Sequence, residues 1–201
     1  MELRLVRKFL WALAGVAAIA FVWLVWGEDP AVLSSEKSEP PFYAEFNLTD
    51  HTGTARTQED FAGQWMLVFF GFANCPDVCP TTLAEVAAVM NDLGGDAAQV
   101  QPLFITVDPD RDTVEALADF VPRFQANIIG LSGTPSQIDQ TAESFHIFYE
   151  KVEEAATPNR YTMDHSSQLF LFGRDAGYVT SWSYGTRAEV IGGDLRELIS
   201  P

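Results

Sequence analysis

Cys75 and Cys79 are the only cysteines in a chain of 201 residues, set four positions apart in the stretch GFANCPDVCP. A pair this close serves as a short staple, as a dithiol that cycles with a disulfide, or as half of a soft metal site. The staple is the weakest of the three. Closing a loop of about five residues stabilises by only roughly 2 kcal/mol on the chain-entropy model, and a domain of about 160 residues buries an adequate core without it. Spacing leaves the other two open, because three intervening residues serve both redox and metal roles. As thiolates, the two sulfurs are redox nucleophiles or ligands for Cu(I), Zn(II) or an iron–sulfur centre.

Two thiolates leave copper short of ligands, and a histidine nitrogen is the natural third. The chain has three histidines. His51, in DHTG, reads as a solvated turn residue. His146, in SFHIFYEK, alternates with apolar residues and reads as the outward face of a strand. His165, in YTMDHSSQLFLF, immediately precedes a buried strand, from where a loop can lean over the cysteines. Asp164 and Ser166 beside it are candidates to hold the ring. A lone histidine is also readable as structural, and Met163 reads as packing. A further cluster, VDPDRDT at 107–113, follows another apolar run. Asp108 therefore belongs at the same sheet edge as the cysteines. Here Asp112 reads as a helix cap, Pro109 as a turn former and Arg111 as the partner of a carboxylate. Alternatively, Asp108 and Arg111 form part of a docking face.

The elements that must position these residues alternate strand and helix. Residues 42–53 read as a strand entering a turn at Asp50–Gly53. The unbroken apolar run WMLVFFGFA (65–73) reads as a central strand covered on both faces. After the cysteines, Leu83, Val86, Ala87, Met90 and Leu93 form a helical stripe stopped by Gly94 and Gly95. Pro80 suits the first turn of that helix, so both sulfurs stand near its N-terminus, where the dipole favours thiolate. A second buried strand covers 100–108, and a helix opens at Asp112 and runs through Phe124. A helix over 135–145, strands over 145–152, 166–173 and 178–185, and a last helix over 186–198 complete an α/β pattern. The expected sheet has a mainly parallel centre and an antiparallel edge.

Composition adds an appendage. Phe9–Trp26 contains 18 successive uncharged residues, about 27 Å of helix and close to a bilayer's hydrocarbon thickness of about 30 Å. Arg4, Arg7 and Lys8 precede it, and Glu28 and Asp29 follow, an asymmetry that holds the N-terminus in the cytoplasm. Trp23 and Trp26 stand where a signal peptide would carry small cleavage-site residues. The expected organisation is a cytoplasmic tail (1–8), a transmembrane anchor (9–26), a linker (27–41) and an exported domain (42–201), in a compartment where disulfides can form. Residues 27–201 hold 27 acidic side chains (28 less Glu2) and 9 basic ones (12 less Arg4, Arg7 and Lys8), a net charge of −18. Such a surface repels nucleic acid and attracts cations or basic protein faces.

FFGFANCPDVCPTTL, ITVDPDRDT and DHSSQLFL, in that order across roughly residues 42–190, resemble the Sco/SenC family of membrane-anchored copper proteins. The resemblance implies a thioredoxin-like fold, a mixed central sheet flanked by helices, behind an N-terminal transmembrane helix. It implies one copper ion per chain, as Cu(I) or Cu(II), with Cys75, Cys79 and His165 as ligands. It implies a role in assembling the CuA centre in subunit II of cytochrome c oxidase, by delivering copper, by reducing the target's cysteines, or both. Other extracytoplasmic copper carriers or thiol reductants would be further partners. The implied location is a bacterial-type inner membrane with the domain in the periplasm, or the mitochondrial inner membrane in a eukaryote. Ala73–Asn74 stands where many members have threonine before the first cysteine. Thioredoxins face their cysteines with a cis-proline loop, whereas the comparable segment here has His165 and no proline. A metallochaperone of this kind is not an enzyme in the strict sense. The alternative is a thiol–disulfide oxidoreductase in which Cys75 attacks and Cys79 resolves. A thiol peroxidase would need an arginine near the attacking cysteine, and none is close in sequence.

Overall fold

The structure, a computed structural model, describes Trp11, residues 40–153 and residues 161–200. Along residues 40–201, which form one unit, come β1 (Asn47–Asp50), β2 (Ala55–Thr57), β3 (Trp65–Gly71), α1 (Val78–Leu93), β4 (Val100–Thr106) and α2 (Val114–Phe120). They are followed by β5 (Ile129–Ser132), α3 (Pro135–Ser144), β6 (Tyr149–Glu153), β7 (Tyr161–His165), β8 (Leu169–Phe172), β9 (Tyr178–Trp182) and α4 (Ala188–Ile199).

Seven strands form one sheet in the order β2-β1-β5-β4-β3-β8-β9. The β3–β4 and β4–β5 pairs are parallel, and the pairs toward both edges are antiparallel. This matches the expected parallel centre. β3 and β4 lie in the middle, and apart from Trp65 every residue of both is buried. That is why their sequences run apolar without alternating. Phe69, Phe70, Phe104, Phe145 and Phe172 are the bulkiest fully buried side chains. The Phe145 ring meets Phe70 and Phe172 edge-on, at centroid distances of 5.1 and 5.0 Å. The parallel register sets Gly71 beside Thr106. The loops that leave β3 and β4 therefore emerge together at one sheet edge.

Several local expectations change. The helix read through Phe124 ends at Phe120 and tightens into a 3-10 turn over Val121–Phe124, because Pro122 has no N–H to continue the α-helical ladder. The segment 145–148, read as strand, is the C-terminal stop of α3. His146 takes the left-handed conformation (φ 55°), its N–H bonds Glu143 O, and the N–H of Ile147 bonds Ala142 O. This is a Schellman stop with histidine at the position glycine usually fills. His51 is not merely solvated: its Nδ1 accepts the N–H of Gly130, tying the β1 turn to β5. β6 and β7 pair antiparallel in a separate two-stranded ribbon, so His165 ends a strand rather than standing in a loop. Among the described residues no helix is long and apolar enough to cross a membrane. The expected anchor, Phe9–Trp26, lies outside the described residues except for Trp11.

Candidate metal centre

The loop from β3 to α1 holds both sulfurs. The Cys75 N–H bonds Phe72 O at 3.2 Å, closing a turn just past the strand. Cys79 lies in the first turn of α1, fully buried, whereas Cys75 is half-buried. The Cys79 N–H points at Cys75 Sγ at 3.4 Å, one of the free donors of a helix start put to use. Gly71 makes room for this packing: a Cβ there would come within 2.7 Å of Cys79 Sγ and 3.0 Å of the Phe69 and Phe104 rings.

The two thiols differ sharply. Hydrogen bonding from the Cys79 thiol lowers Cys75 most; burial works against it, and the N–H groups of Cys79 and Asp77 and the nearby His165 add to the lowering, to about 5. Cys79 is pushed far up, first by donating to Cys75 and then by burial. The pair therefore keeps one proton, on Cys79, and presents a thiolate at Cys75.

His165 faces this pair. Its Nε2 lies 3.7 Å from Cys79 Sγ, and its Nδ1 lies 3.0 Å from the carbonyl oxygen of Ser166. A carbonyl only accepts, so Nδ1 donates to Ser166 O, and Nε2 is the ring nitrogen that faces the sulfur. Phe69 and Phe72 hold the ring edge-on, at centroid distances of 6.2 and 5.9 Å. The expected support from Asp164 and Ser166 is thus delivered by the Ser166 backbone; the Ser166 hydroxyl instead accepts the Phe148 N–H, and Asp164 sits opposite Glu150 in the ribbon. Met163 is buried, as packing requires.

Donor chemistry and spacing fit a first-row metal. With zinc-like lengths of about 2.3 Å to sulfur and about 2.0 Å to nitrogen, a trigonal opening of about 120° separates the donors by about 3.7 Å. Among the described residues no group of three or more His, Cys, Asp or Glu side chains stands ready-assembled around a metal position. What is assembled is the Cys79–His165 contact, with Cys75 joined to it through the Cys79 thiol.

The loop from β4 to α2 runs alongside. Asp112 is buried, and one carboxylate oxygen accepts both the Thr106 hydroxyl at 2.7 Å and the Ala73 N–H at 2.9 Å. Its carbonyl accepts the Ser132 hydroxyl. The expected cap role belongs to Thr113, whose Oγ1 accepts the Ala116 N–H. Arg111 pairs with Asp108, as expected, but Asp108 is buried and presents no docking face.

Residues 34–200 match the family model described as SCO1/SenC. The chain belongs to the SCO1/SenC family. Relatives include the mitochondrial SCO2 homolog of Bos taurus, 39% identical over 154 residues that cover 76% of this chain and 58% of that protein. The mitochondrial SCO1 homolog of Homo sapiens is 34% identical over 158 residues, covering 78% and 52%. The chain thus spans somewhat over half the length of these relatives. Among solved structures, Bradyrhizobium japonicum ScoI with copper bound superposes with a TM-score of 0.72 at 36% identity, over 78% of this chain and 98% of that one. Yeast Sco1 with copper bound gives 0.72 at 27% identity, over 81% and 91%. The SCO1/SenC fold seen here is thioredoxin-like, as the sequence motifs implied.

In the metal-free, reduced SCO1/SenC domain the split between the sulfurs has a direct readout. Iodoacetamide will alkylate Cys75 at a rate that rises as the pH climbs through about 5 and is level at neutral pH, whereas an ordinary cysteine follows its value of 9.0. Cys79 will remain unmodified over the same range. Peptide mass spectrometry across a pH series checks both. Equal labelling of the two sulfurs, or an inflection in the ordinary thiol range, would remove the thiolate from Cys75.

Proposed function

We propose that the chain carries one copper ion, as Cu(I) or Cu(II), on Cys75, Cys79 and His165 and delivers it to the CuA centre of cytochrome c oxidase subunit II. The observation that carries this reading is the imidazole, with Nε2 turned to Cys79 Sγ at 3.7 Å and Nδ1 committed to Ser166 O. A nitrogen donor turned to a sulfur is a third ligand, which a copper carrier needs and a reductase does not. Two related proteins, B. japonicum ScoI and yeast Sco1, have been solved with copper bound, and the motif resemblance points to oxidase assembly.

Two thiolates and a neutral imidazole suit trigonal Cu(I), and a water or further ligand completes a tetragonal Cu(II) site. Cys75 meets the ion already as thiolate, so binding at neutral pH releases the single proton of Cys79. Cys75 and His165 are only half-buried and Cys79 is fully buried. An acceptor's thiolates therefore displace the outer two donors first and take the cargo by stepwise ligand exchange. The net charge of −18 over residues 27–201 favours an acceptor with a basic face. Residues 9–26 tether the domain to a bacterial-type inner membrane, on its periplasmic side, or to the mitochondrial inner membrane.

The low thiol of Cys75 beside the high one of Cys79 supports a second reading, a thiol–disulfide reductase. Cys75 thiolate would attack a partner disulfide, and Cys79 would then resolve the mixed disulfide. Two electrons and the pair's single proton pass to the partner, whose second thiolate takes its proton from water; the Cys75–Cys79 disulfide remains, and an external dithiol reductant restores it. Copper and the disulfide compete for the same sulfurs, so loading depends on redox state.

Titration of the reduced full-length chain with Cu(I) against a competing chelator, and separately with Cu(II), tests the copper reading. One equivalent is expected for the reduced chain and none for its disulfide form. Uptake of neither oxidation state by the reduced chain ends the delivery reading.

A further inference from the structure

The β4–α2 loop grips both halves of the candidate centre. On the sulfur side Asp112 holds Ala73, two residues before Cys75. On the imidazole side three groups converge on Tyr161, the first residue of β7. Its hydroxyl donates to Asp108 Oδ1 at 2.9 Å. Its carbonyl accepts from Arg111 at 3.0 Å. The Arg111 guanidinium also lies 3.7 Å from the centre of its ring, while Lys151 of β6 stands 3.9 Å from the same centre. Two cations at that range cannot share a face, so the ring is held between them. Arg111 is itself fixed by its ion pair with buried Asp108. It reaches toward Phe72 as well, the ring that His165 meets edge-on.

The ribbon needs such an anchor. β6 and β7 pair only with each other, four of the five β6 residues are exposed, and an isolated two-stranded ribbon is marginally stable in water. Tyr161 lies four residues from His165, about 13 Å along the strand. Whatever fixes one end of so short a strand sets the position of the other. Met163 alone provides a buried side chain within β7.

We infer that Tyr161, Asp108 and Arg111 are positioning residues for His165: they latch the ribbon to the β4–α2 loop and so set how firmly the imidazole meets copper held by the two sulfurs. The inference rests on the copper-carrier reading, and it assigns the VDPDRDT motif a task at both sides of the centre. Tyr161 stays a donor throughout the physiological range, because burial and its bond to Asp108 push the phenol up to about 12.

Tyr161→Phe tests the latch in the full-length chain, since it keeps the ring and removes only the hydroxyl. In metal-free protein, amide hydrogen exchange in β6 and β7 should quicken by about tenfold, the worth of one hydrogen bond to a charged group, with β3 and β4 unchanged. After Cu(II) loading, nitrogen hyperfine coupling in the electron paramagnetic spectrum should weaken. Cu(I) affinity should fall by about tenfold, at the low end for groups behind a ligand. In a His165→Ala background the weak residual Cu(I) binding by the two sulfurs should show no further tenfold loss on the same substitution, because the latch acts through that ring. Arg111→Lys, which cannot stack and bond in two directions at once, should reproduce the pattern. Unaltered ribbon exchange, acceleration spread evenly over β3 and β4, or the same tenfold loss without His165 would each overturn the latch. If the wild-type chain takes up no copper, the carrier reading falls and the exchange measurement decides the latch by itself.

Discussion

Replacing His165 with alanine is expected to abolish stable copper binding and to leave the reaction of Cys75 with a disulfide almost unchanged. The imidazole is the only side-chain nitrogen turned to the sulfurs among the described contacts, with Nε2 3.7 Å from Cys79 Sγ. Without it Cu(II) loses its borderline ligand, and Cu(I) is left on two sulfurs, one of them buried. The loss should exceed the roughly 100-fold upper range seen for groups that merely support a ligand. The thiol chemistry has other sources. Cys75 is held low mainly by the Cys79 thiol, and His165 is the smallest of its named causes. Cys75 in the variant therefore remains a thiolate at neutral pH and attacks a model disulfide as before. Chelator competition for copper and reduction of a mixed glutathione disulfide, run on the same preparation, read out the two effects. Wild-type copper affinity in the variant would remove the ring from the ligand set.

The placement of the candidate site was more legible in the sequence than the scaffolding around it. The unbroken apolar run of β3 and the mostly apolar β4 read as central strands because both faces are covered, and the two pair in parallel with Gly71 beside Thr106. The cysteine pair is legible because its position after such a strand and before a helix is itself the functional signal. β7 was not legible. YTMDH pairs only with a solvent-washed partner strand, so neither periodicity nor burial marks it. His146 alternates with apolar neighbours, a pattern that a helix stop with a left-handed residue reproduces as well as a strand does. Asp112 misled for a third reason. An acidic residue three positions before Glu115 has the look of a cap, and Thr113 next to it takes that place. The role Asp112 does have depends on Ala73, 39 residues away, and no local pattern encodes a contact of that range. Ser166 shows the same limit in small: the sequence offers Asp164 and Ser166 as partners for the imidazole, and the Ser166 backbone carbonyl takes that place.

Asp112→Ala will lower the melting temperature substantially and release the cysteine loop. The carboxylate is the acceptor for the Thr106 hydroxyl and the Ala73 N–H, and each donor left unpartnered in the interior costs about 1–3 kcal/mol. Against this, burial of the charge is itself unfavourable and raises the carboxyl above its ordinary value, with Thr106 and Ala73 lowering it in part. The alanine variant recovers that burial penalty, so a net loss of about 3 kcal/mol is expected, or about 6–12 °C for a domain of this size. Asp112→Asn should lose less, because its remaining oxygen, placed where Oδ2 stands, still accepts both the Thr106 hydroxyl and the Ala73 N–H. The two variants also separate charge from hydrogen bonding. A carboxyl raised in the folded state holds its proton more tightly there than in the unfolded chain. Its contribution is therefore most favourable at low pH and declines as pH rises from the ordinary 3.8 through the folded value. The difference in stability between wild type and Asp112→Asn should shrink or reverse in the same direction, then stay level above that window. Calorimetry across pH gives the curve, and the alkylation profile of Cys75 reports on the loop. A wild-type melting temperature together with an unchanged profile would show that Ala73 is held by something other than Asp112. Loss of copper affinity in an Asp112→Asn protein that remains folded would place the carboxylate among the groups that give the sulfur pair its geometry.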